Sequence, residues 1–124
     1  MGAFIKNVTF DARDALVLAR FWASALGTDV EEDSTAQRAF VEAAAWGGPN
    51  MWFVQVPEPK TAKNRMHFDL RPTGTKDAEV ERLAALGASI VHDRPELVVM
   101  ADPEGNEFCV EPGPDDDPPR ERPS

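Results

Sequence analysis

Short stretches with a two-residue hydrophobic period and longer stretches with a helical period follow one another along this chain, and the set occurs twice. Residues 65–70 are the clearest short stretch. Alternation puts Arg65, His67 and Asp69 on one face and Met66, Phe68 and Leu70 on the other, so one face is polar and the other is core. A helical pattern follows, with Thr75 or Asp77 as its cap, Val80, Leu83 and Ala84 on its apolar side and Gly87 as its stop. Residues 88–91 and 97–101 read as strands. Asp102 to Gly105 then places proline second and glycine fourth, as a type I turn requires, and closes a hairpin. In the last strand, 106–111, Glu107, Cys109 and Glu111 alternate with Phe108 and Val110.

The first half has the same grammar. Residues 4–10 alternate, with Phe4, Val8 and Phe10 on one side, Lys6 as the exception, and Ile5, Asn7 and Thr9 on the other. A cap within 11–14 opens a helix whose Leu18, Phe21, Trp22, Ala25 and Leu26 recur at helical spacing until Gly27, and Phe4 and Val8 are its expected strand partners. Residues 28–32 suit a short strand. Residues 37–44 suit another, although the alanines at 43–45 fit a helix equally well. Gly47, Gly48 and Pro49 break the chain. Residues 51–56 form a strand with Met51, Phe53 and Gln55 on one face and Trp52, Val54 and Val56 on the other, the second face being expected to meet the helix. Asn7 stands to His67 as Leu26-Gly27 stands to Leu86-Gly87, so the order is β-α-β-β-β, twice. The expected fold is α+β, with two βαβββ modules whose curved sheets, each covered by one helix, enclose a shared cleft. Asn7, Phe53, Gln55, His67, Asp69, Cys109 and Glu111 are the expected lining.

With 124 residues the chain has the length of one domain, so two half-size modules must share a core. The expected domain is 1–111, with modules at about 3–57 and 65–111 joined by a proline-rich crossover at 57–64. Residues 112–124 have no apolar anchor and are expected to be a disordered acidic tail. A net charge of −9, without clustered Lys and Arg, argues against nucleic acid as a partner. It suits a cationic small molecule, although Asp115, Asp116 and Asp117 place part of that charge in the tail. One cysteine excludes an intrachain disulfide framework. No stretch has the length of a signal peptide's apolar core or of a membrane span, so the expected compartment is the cytoplasm, with no membrane partner.

Phe21 to Gly27, Lys63 to Leu70, Leu86-Gly87-Ala88 and Asp102 to Phe108, set in this repeat, resemble the vicinal-oxygen-chelate superfamily. The likeness is greatest to its glyoxalase-like branch, which includes glyoxalase I, bleomycin-resistance proteins and extradiol dioxygenases. It covers about residues 3–111. It implies a small-molecule ligand in the cleft and a homodimer, and in metal-dependent members one ligand on each of four strands. By position those ligands fall on Asn7, on Phe53 or Gln55, on His67 and on Cys109. Only His67 keeps the usual residue type. Glu111 could replace Cys109 if the strand shifts. The carboxylates that glyoxalase I needs at its metal are missing, which disfavours that reaction.

Three chemistries are therefore open. His67 and Cys109 are legitimate ligands for zinc or another borderline divalent metal, as an incomplete set. Without metal, His67 could act as a general base oriented by Asp69 or Glu111, and Cys109 as a nucleophile if His67 lowers its pKa. Asp69 could instead pair with Arg65 or Arg71. The implied activities are lyase, isomerase or oxygenase steps. The competing class is a sequestering protein of the bleomycin-resistance kind, with Trp46, Trp52 and Phe53 lining an acidic groove. Asn7, Phe53, Gln55, Asp69 and Glu111 are the substrate-binding candidates.

Overall fold

A computed structural model describes residues 2–43 and 47–116. Two compact units meet between Thr61 and Ala62, and each is described by itself.

In the first unit, β1 (Asn7–Ala12), α1 (Ala15–Ala25), β2 (Arg38–Val41) and β3 (Asn50–Gln55) form a sheet in the order β1-β3-β2 under one helix. β1 pairs parallel with β3 and β2 antiparallel. A parallel pair needs a crossover, and α1 lies on it. The carboxylate of Asp14 accepts the amide proton of Val17 at 3.0 Å and so caps the first turn. At the other end Gly27, at φ 72°, lets its own N–H reach Ser24 O while Thr28 N–H reaches Ala23 O, the Schellman arrangement. The buried face of α1 carries Leu18, Phe21 and Trp22. Phe10 stands 6.0 Å from Trp22 and 5.1 Å from Phe53, centroid to centroid, so one aromatic cluster ties helix to sheet.

Three expectations for this unit need correction. The strand begins at Asn7 rather than Phe4, and Phe4 and Ile5 are 84% and 77% exposed. Asn7 is the register partner of Asn50, where β3 begins, so earlier residues have no ladder to join. The phase of β3 is opposite to that expected. Met51 and Phe53 are buried toward α1, whereas Trp52 and Val54 lie on the other face. Both faces of that strand are apolar, so alternation alone does not say which is inside. Pairing with β1 in phase with Val8 and Phe10 does. The strand expected at 28–32 is reduced to a single bridge, Val30 to Val41, leaving three strands here rather than four.

The second unit realises β-α-β-β-β in full. β4 (Phe68–Leu70), α2 (Lys76–Ala85), β5 (Ser89–Asp93), β6 (Val98–Ala101) and β7 (Glu107–Val110) give a sheet ordered β4-β7-β6-β5, with β4 parallel to β7. Thr75 caps α2 through the Ala78 amide, and Gly87 and Ala88 repeat the Schellman pattern onto Ala84 O and Leu83 O. Val80 and Leu83 of the helix and Val98, Met100, Phe108 and Val110 of the sheet are buried. The Asp102 hairpin forms as expected: Gly105 N–H donates to Asp102 O at 2.8 Å. The Asp102 carboxylate, 3% exposed, accepts from the Glu104 and Asn106 amides and from the Asn106 side chain.

Residues 112–116 are held against the unit rather than trailing from it. The Asp116 carboxylate accepts from Lys76 N–H at 2.9 Å, at the first turn of α2, and from Gly113 N–H at 2.6 Å. Gly113 packs so closely on the backbone of Gly74 that a Cβ would not fit. The expectations for residues 44–46, with Trp46, and for the rest of the tail at 117–124, with Asp117, lie outside the described residues. Among the described residues no helix is long and apolar enough to cross a membrane.

The phase of β3 is tested by paired truncations in chemical denaturation. Phe53→Ala is expected to lose about 3–5 kcal/mol, as core aromatics do, and Trp52→Ala about 1 kcal/mol or less, as for a residue outside the core. Asp102→Ala is expected to lose about 2–3 kcal/mol, because several part-buried donors lose a charged acceptor. Asp102→Asn should recover part of that loss.

Candidate functional site

Pairing of β4 with β7 decides which side chains meet in the second unit. Phe68 opposes Phe108 and Leu70 opposes Val110 on the side facing α2, so Asp69 and Cys109, also opposed, share the open side. Glu107 lies on that side, and the ladder continues through Glu111 N–H to Leu70 O, adding Glu111. Val99, opposite Cys109 on β6, gives this face an apolar floor. Three of the expected site residues, Asp69, Cys109 and Glu111, therefore come to one acidic face.

The state of Cys109 follows from that company. Burial pushes its pKa up, and the charge of Asp69, the hydrogen bond from the thiol to that carboxylate, and the charge of Glu111 push the same way, while Lys63 opposes them. Cys109 is thus held as a neutral thiol that donates to Asp69. The nucleophile expectation required His67 to lower this pKa. His67 is not among the groups that move it, and the shift has the opposite sign. Among the described residues Asp69 forms no ion pair with Arg65 or Arg71.

His67 is exposed and stands one residue before β4. Its Nε2 is 3.2 Å from Lys63 Nζ and 3.2 Å from Asn64 O. The Asn64 amide in turn donates to the Glu107 carboxylate at 3.1 Å, which ties this loop to β7. Neither Asp69 nor Glu111 orients the imidazole, a second correction to the acid–base arrangement. Among the described residues Nδ1 has no partner.

The remaining candidates lie in the first unit. Asn7 is on the open face of its sheet, with Thr9, Asn50, Trp52, Arg38 and Phe40. Phe53 and Gln55 are on the opposite, helix-side face. Phe53 is fully buried against Phe10, and Gln55 Nε2 donates to Arg13 O at 3.1 Å. Neither is available to a ligand lying on the open face. Sequence reasoning missed Arg38 and Phe40, which line a cavity of about 710 Å³ on that face together with Trp52, expected as a groove aromatic, and with Glu31, Asp33, Ser34 and Thr35. The signal was present in the alternation of Arg38 and Phe40 against Ala39 and Val41.

The four positions that the resemblance assigns to a metal do not fit one. One falls on buried Phe53 or on Gln55, whose amide is engaged by Arg13 O. Among the described residues no three His, Cys, Asp or Glu side chains are grouped to hold a metal ion.

Because the thiol's pKa is raised, alkylation of Cys109 by iodoacetamide is expected to be slower at pH 8 than that of an unhindered thiol. Asp69→Asn removes one charge and should speed it several-fold. The same shift sets a stability window. Below the ordinary thiol pKa the folded and unfolded chains are both protonated and the contribution is complete. As pH rises further the unfolded chain ionises first, so stability falls. Cys109→Ala should flatten that alkaline loss in denaturation curves measured from pH 7 to 10.

Comparisons with known proteins follow the same lines. A model of the glyoxalase-like domain matches residues 7–111. No curated protein matches the chain. Among solved structures, a glyoxalase/bleomycin resistance protein/dioxygenase family enzyme from Burkholderia phytofirmans is similar at TM-score 0.67 and 19% identity, over 90% of this chain and 98% of that one. The fosfomycin resistance protein FosX from Mesorhizobium loti is similar at 0.66 and 18%, over 90% and 92%. The lactoylglutathione lyase from Agrobacterium tumefaciens is similar at 0.57 and 18%, over 92% and 96%. At these identities the structures speak for the fold, and the family match speaks for descent: the chain belongs to the glyoxalase-like domain family of the vicinal-oxygen-chelate superfamily.

Proposed function

We propose that this chain binds a small molecule carrying a cationic or hydrogen-bond-donating group on the open face of its second sheet, and does so without a resident metal. The observation that carries the reading is the cluster of Asp69, Glu107 and Glu111 around a protonated Cys109, with no cation paired to Asp69 or Glu111 among the described residues. Such a face is electrostatically incomplete until a donor arrives. Its acceptors are fixed by strand pairing, so a ligand meets them with little ordering cost. Sequestration in the bleomycin-resistance manner needs no more than this, and similar folds carry that word in their names.

A second reading is favoured by one feature, the exposed His67 with its open Nδ1. An imidazole so placed can take a proton from a ligand on the neighbouring face, which supports a lyase, isomerase or other proton-transfer step. Glyoxalase I chemistry stays disfavoured, because the metal positions do not carry its ligands. A cytoplasmic setting and a homodimer remain part of the proposal by family likeness.

A thermal-shift screen of cationic antibiotics and other amines, run in EDTA and again after loading with nickel, zinc, manganese or ferrous iron, tests the proposal. A binder at 100 times its Kd should add about 2.7 kcal/mol of stability, seen as a rise of several degrees in Tm. The rise should survive EDTA and shrink with Asp69→Asn and Glu111→Gln. A shift obtained only with metal, together with one metal per chain retained and lost on His67→Ala, would overturn it in favour of a metalloenzyme. If a binder is also turned over and His67→Ala stops turnover while leaving the Tm rise intact, the proton-transfer reading is the right one.

A further inference from the structure

Nε2 of His67 faces two groups that ask opposite things of it. Lys63 Nζ, 3.2 Å away, is an ammonium with protons to give and needs a lone pair on the ring nitrogen. The carbonyl oxygen of Asn64, also 3.2 Å away, only accepts and needs a proton there. A neutral imidazole carries one N–H, so satisfying Lys63 puts the proton on Nδ1 and satisfying Asn64 puts it on Nε2. The difference decides the chemistry. Only the second arrangement gives Nδ1, the nitrogen without a partner among the described residues, a lone pair that can take a proton.

Both ends of the loop that carries Asn64 and His67 hang from one strand. His67 is followed by Phe68, whose register partner is Phe108 of β7. Asn64 is held by its N–H, which donates to a carboxylate oxygen of Glu107 at 3.1 Å, and Glu107 is the neighbour of Phe108 in the chain. Asn64 is half-buried, whereas Lys63 is exposed. The carbonyl is therefore a fixed acceptor, ordered before it meets the ring. The ammonium stands at the end of a long exposed side chain, which must give up rotamer freedom and hydration to hold one place. Lys63 also has other company: its charge acts on the Cys109 thiol against those of Asp69 and Glu111, which puts it within electrostatic reach of the acidic face.

We propose that Glu107 is a positioning residue: by holding the N–H of Asn64 it aims the Asn64 carbonyl at Nε2, keeps His67 in the Nε2–H tautomer and so leaves Nδ1 as the proton-accepting atom. Lys63 is the competing donor. With its ammonium on Nε2 the proton sits on Nδ1, and the ring can then donate to a ligand but no longer accept from one. What the tautomer does for catalysis rests on the proton-transfer reading of the site, but the tautomer itself exists without a ligand. Glu107 accordingly differs from Asp69 and Glu111 on the same face, because one of its oxygens is engaged by the loop.

The tautomer is measured on the whole ¹⁵N-labelled chain, free of any tag, at about pH 8.5, above the ordinary imidazole range of about 6.5. Correlations from the carbon-bound ring protons to the two ring nitrogens report it, since a protonated and an unprotonated nitrogen resonate far apart. The chain has two histidines, and His92→Gln leaves His67 alone in the spectrum. His67 is expected to be mainly Nε2–H. Glu107→Ala should move the tautomer ratio toward Nδ1–H by about five-fold, the effect of loosening one hydrogen bond. Glu107→Gln, which keeps an oxygen acceptor, should restore most of it. Lys63→Met, a change on an exposed side chain that leaves the sheet untouched, should leave His67 at least as fully Nε2–H as before. A ring that is mainly Nδ1–H in the unaltered chain and turns to Nε2–H in Lys63→Met would overturn the proposal, by giving control of the ring to Lys63. So would one ratio shared by Glu, Gln and Ala at position 107. A ligand screen without hits counts against the proposed function alone, and a ratio indifferent to Glu107 counts against this positioning role alone.

Discussion

Parallel pairing between the first and last strand of each unit is the constraint on which the rest of this structure depends. β1 lies beside β3 and β4 beside β7, and neither pair can be joined by a tight turn. The chain must leave the sheet, cross over as α1 or α2 and return. The helix therefore covers one face of each sheet, and the other is left open. Register does the remaining work. Once Phe68 and Leu70 oppose Phe108 and Val110 beneath α2, Asp69 has no choice but to stand opposite Cys109. Once Val8 and Phe10 oppose Met51 and Phe53 beneath α1, Trp52 is turned to the outside.

The electrostatic character of the second sheet follows from what register assembles there. Asp69, Glu107 and Glu111 would repel one another less in water than on a shared face. Part of the compensation comes from the Cys109 thiol, whose pKa is raised by burial first and by the charge of Asp69 second, and part from the Asn64 amide on Glu107. A cysteine in this setting is an acid-stabilised donor rather than a reactive thiolate. The same crowding that makes the face attractive to a cation makes it unsuited to thiolate chemistry. In the first unit the open face is of another kind, with the Arg38 guanidinium resting on the Trp52 ring beside Phe40.

Local hydrogen bonds make the two halves alike despite their different strand counts. Each helix opens on a side-chain oxygen, Asp14 or Thr75, and closes on a glycine, Gly27 or Gly87, in the same Schellman arrangement. The differences arise where polar density is highest. The acidic run at Glu31, Glu32 and Asp33 cannot alternate into a strand, so only Val30 reaches β2. Asp116 finds the exposed amides at the start of α2, and a stretch without apolar residues is held by polar contacts alone.

What the sequence by itself determined was whatever depends on near neighbours in the chain. The repeat of strand, helix and glycine stop, the caps, the Asp102 hairpin and the polar phase at Asp69, Cys109 and Glu111 are written in spacings of two to five residues, and each can be read because its contrast is local. Tertiary structure alone decided three matters. In β3 both faces are apolar, so only pairing with β1 could send Phe53 inward and Trp52 outward. For His67, Lys63 and Asn64 proved nearer partners than Asp69 or Glu111, because the loop before β4 is anchored to Glu107. For Cys109, ionisation depends first on burial and then on the charge of Asp69, brought by a strand some forty residues away in the chain, and no reading of residues 107–111 contains either.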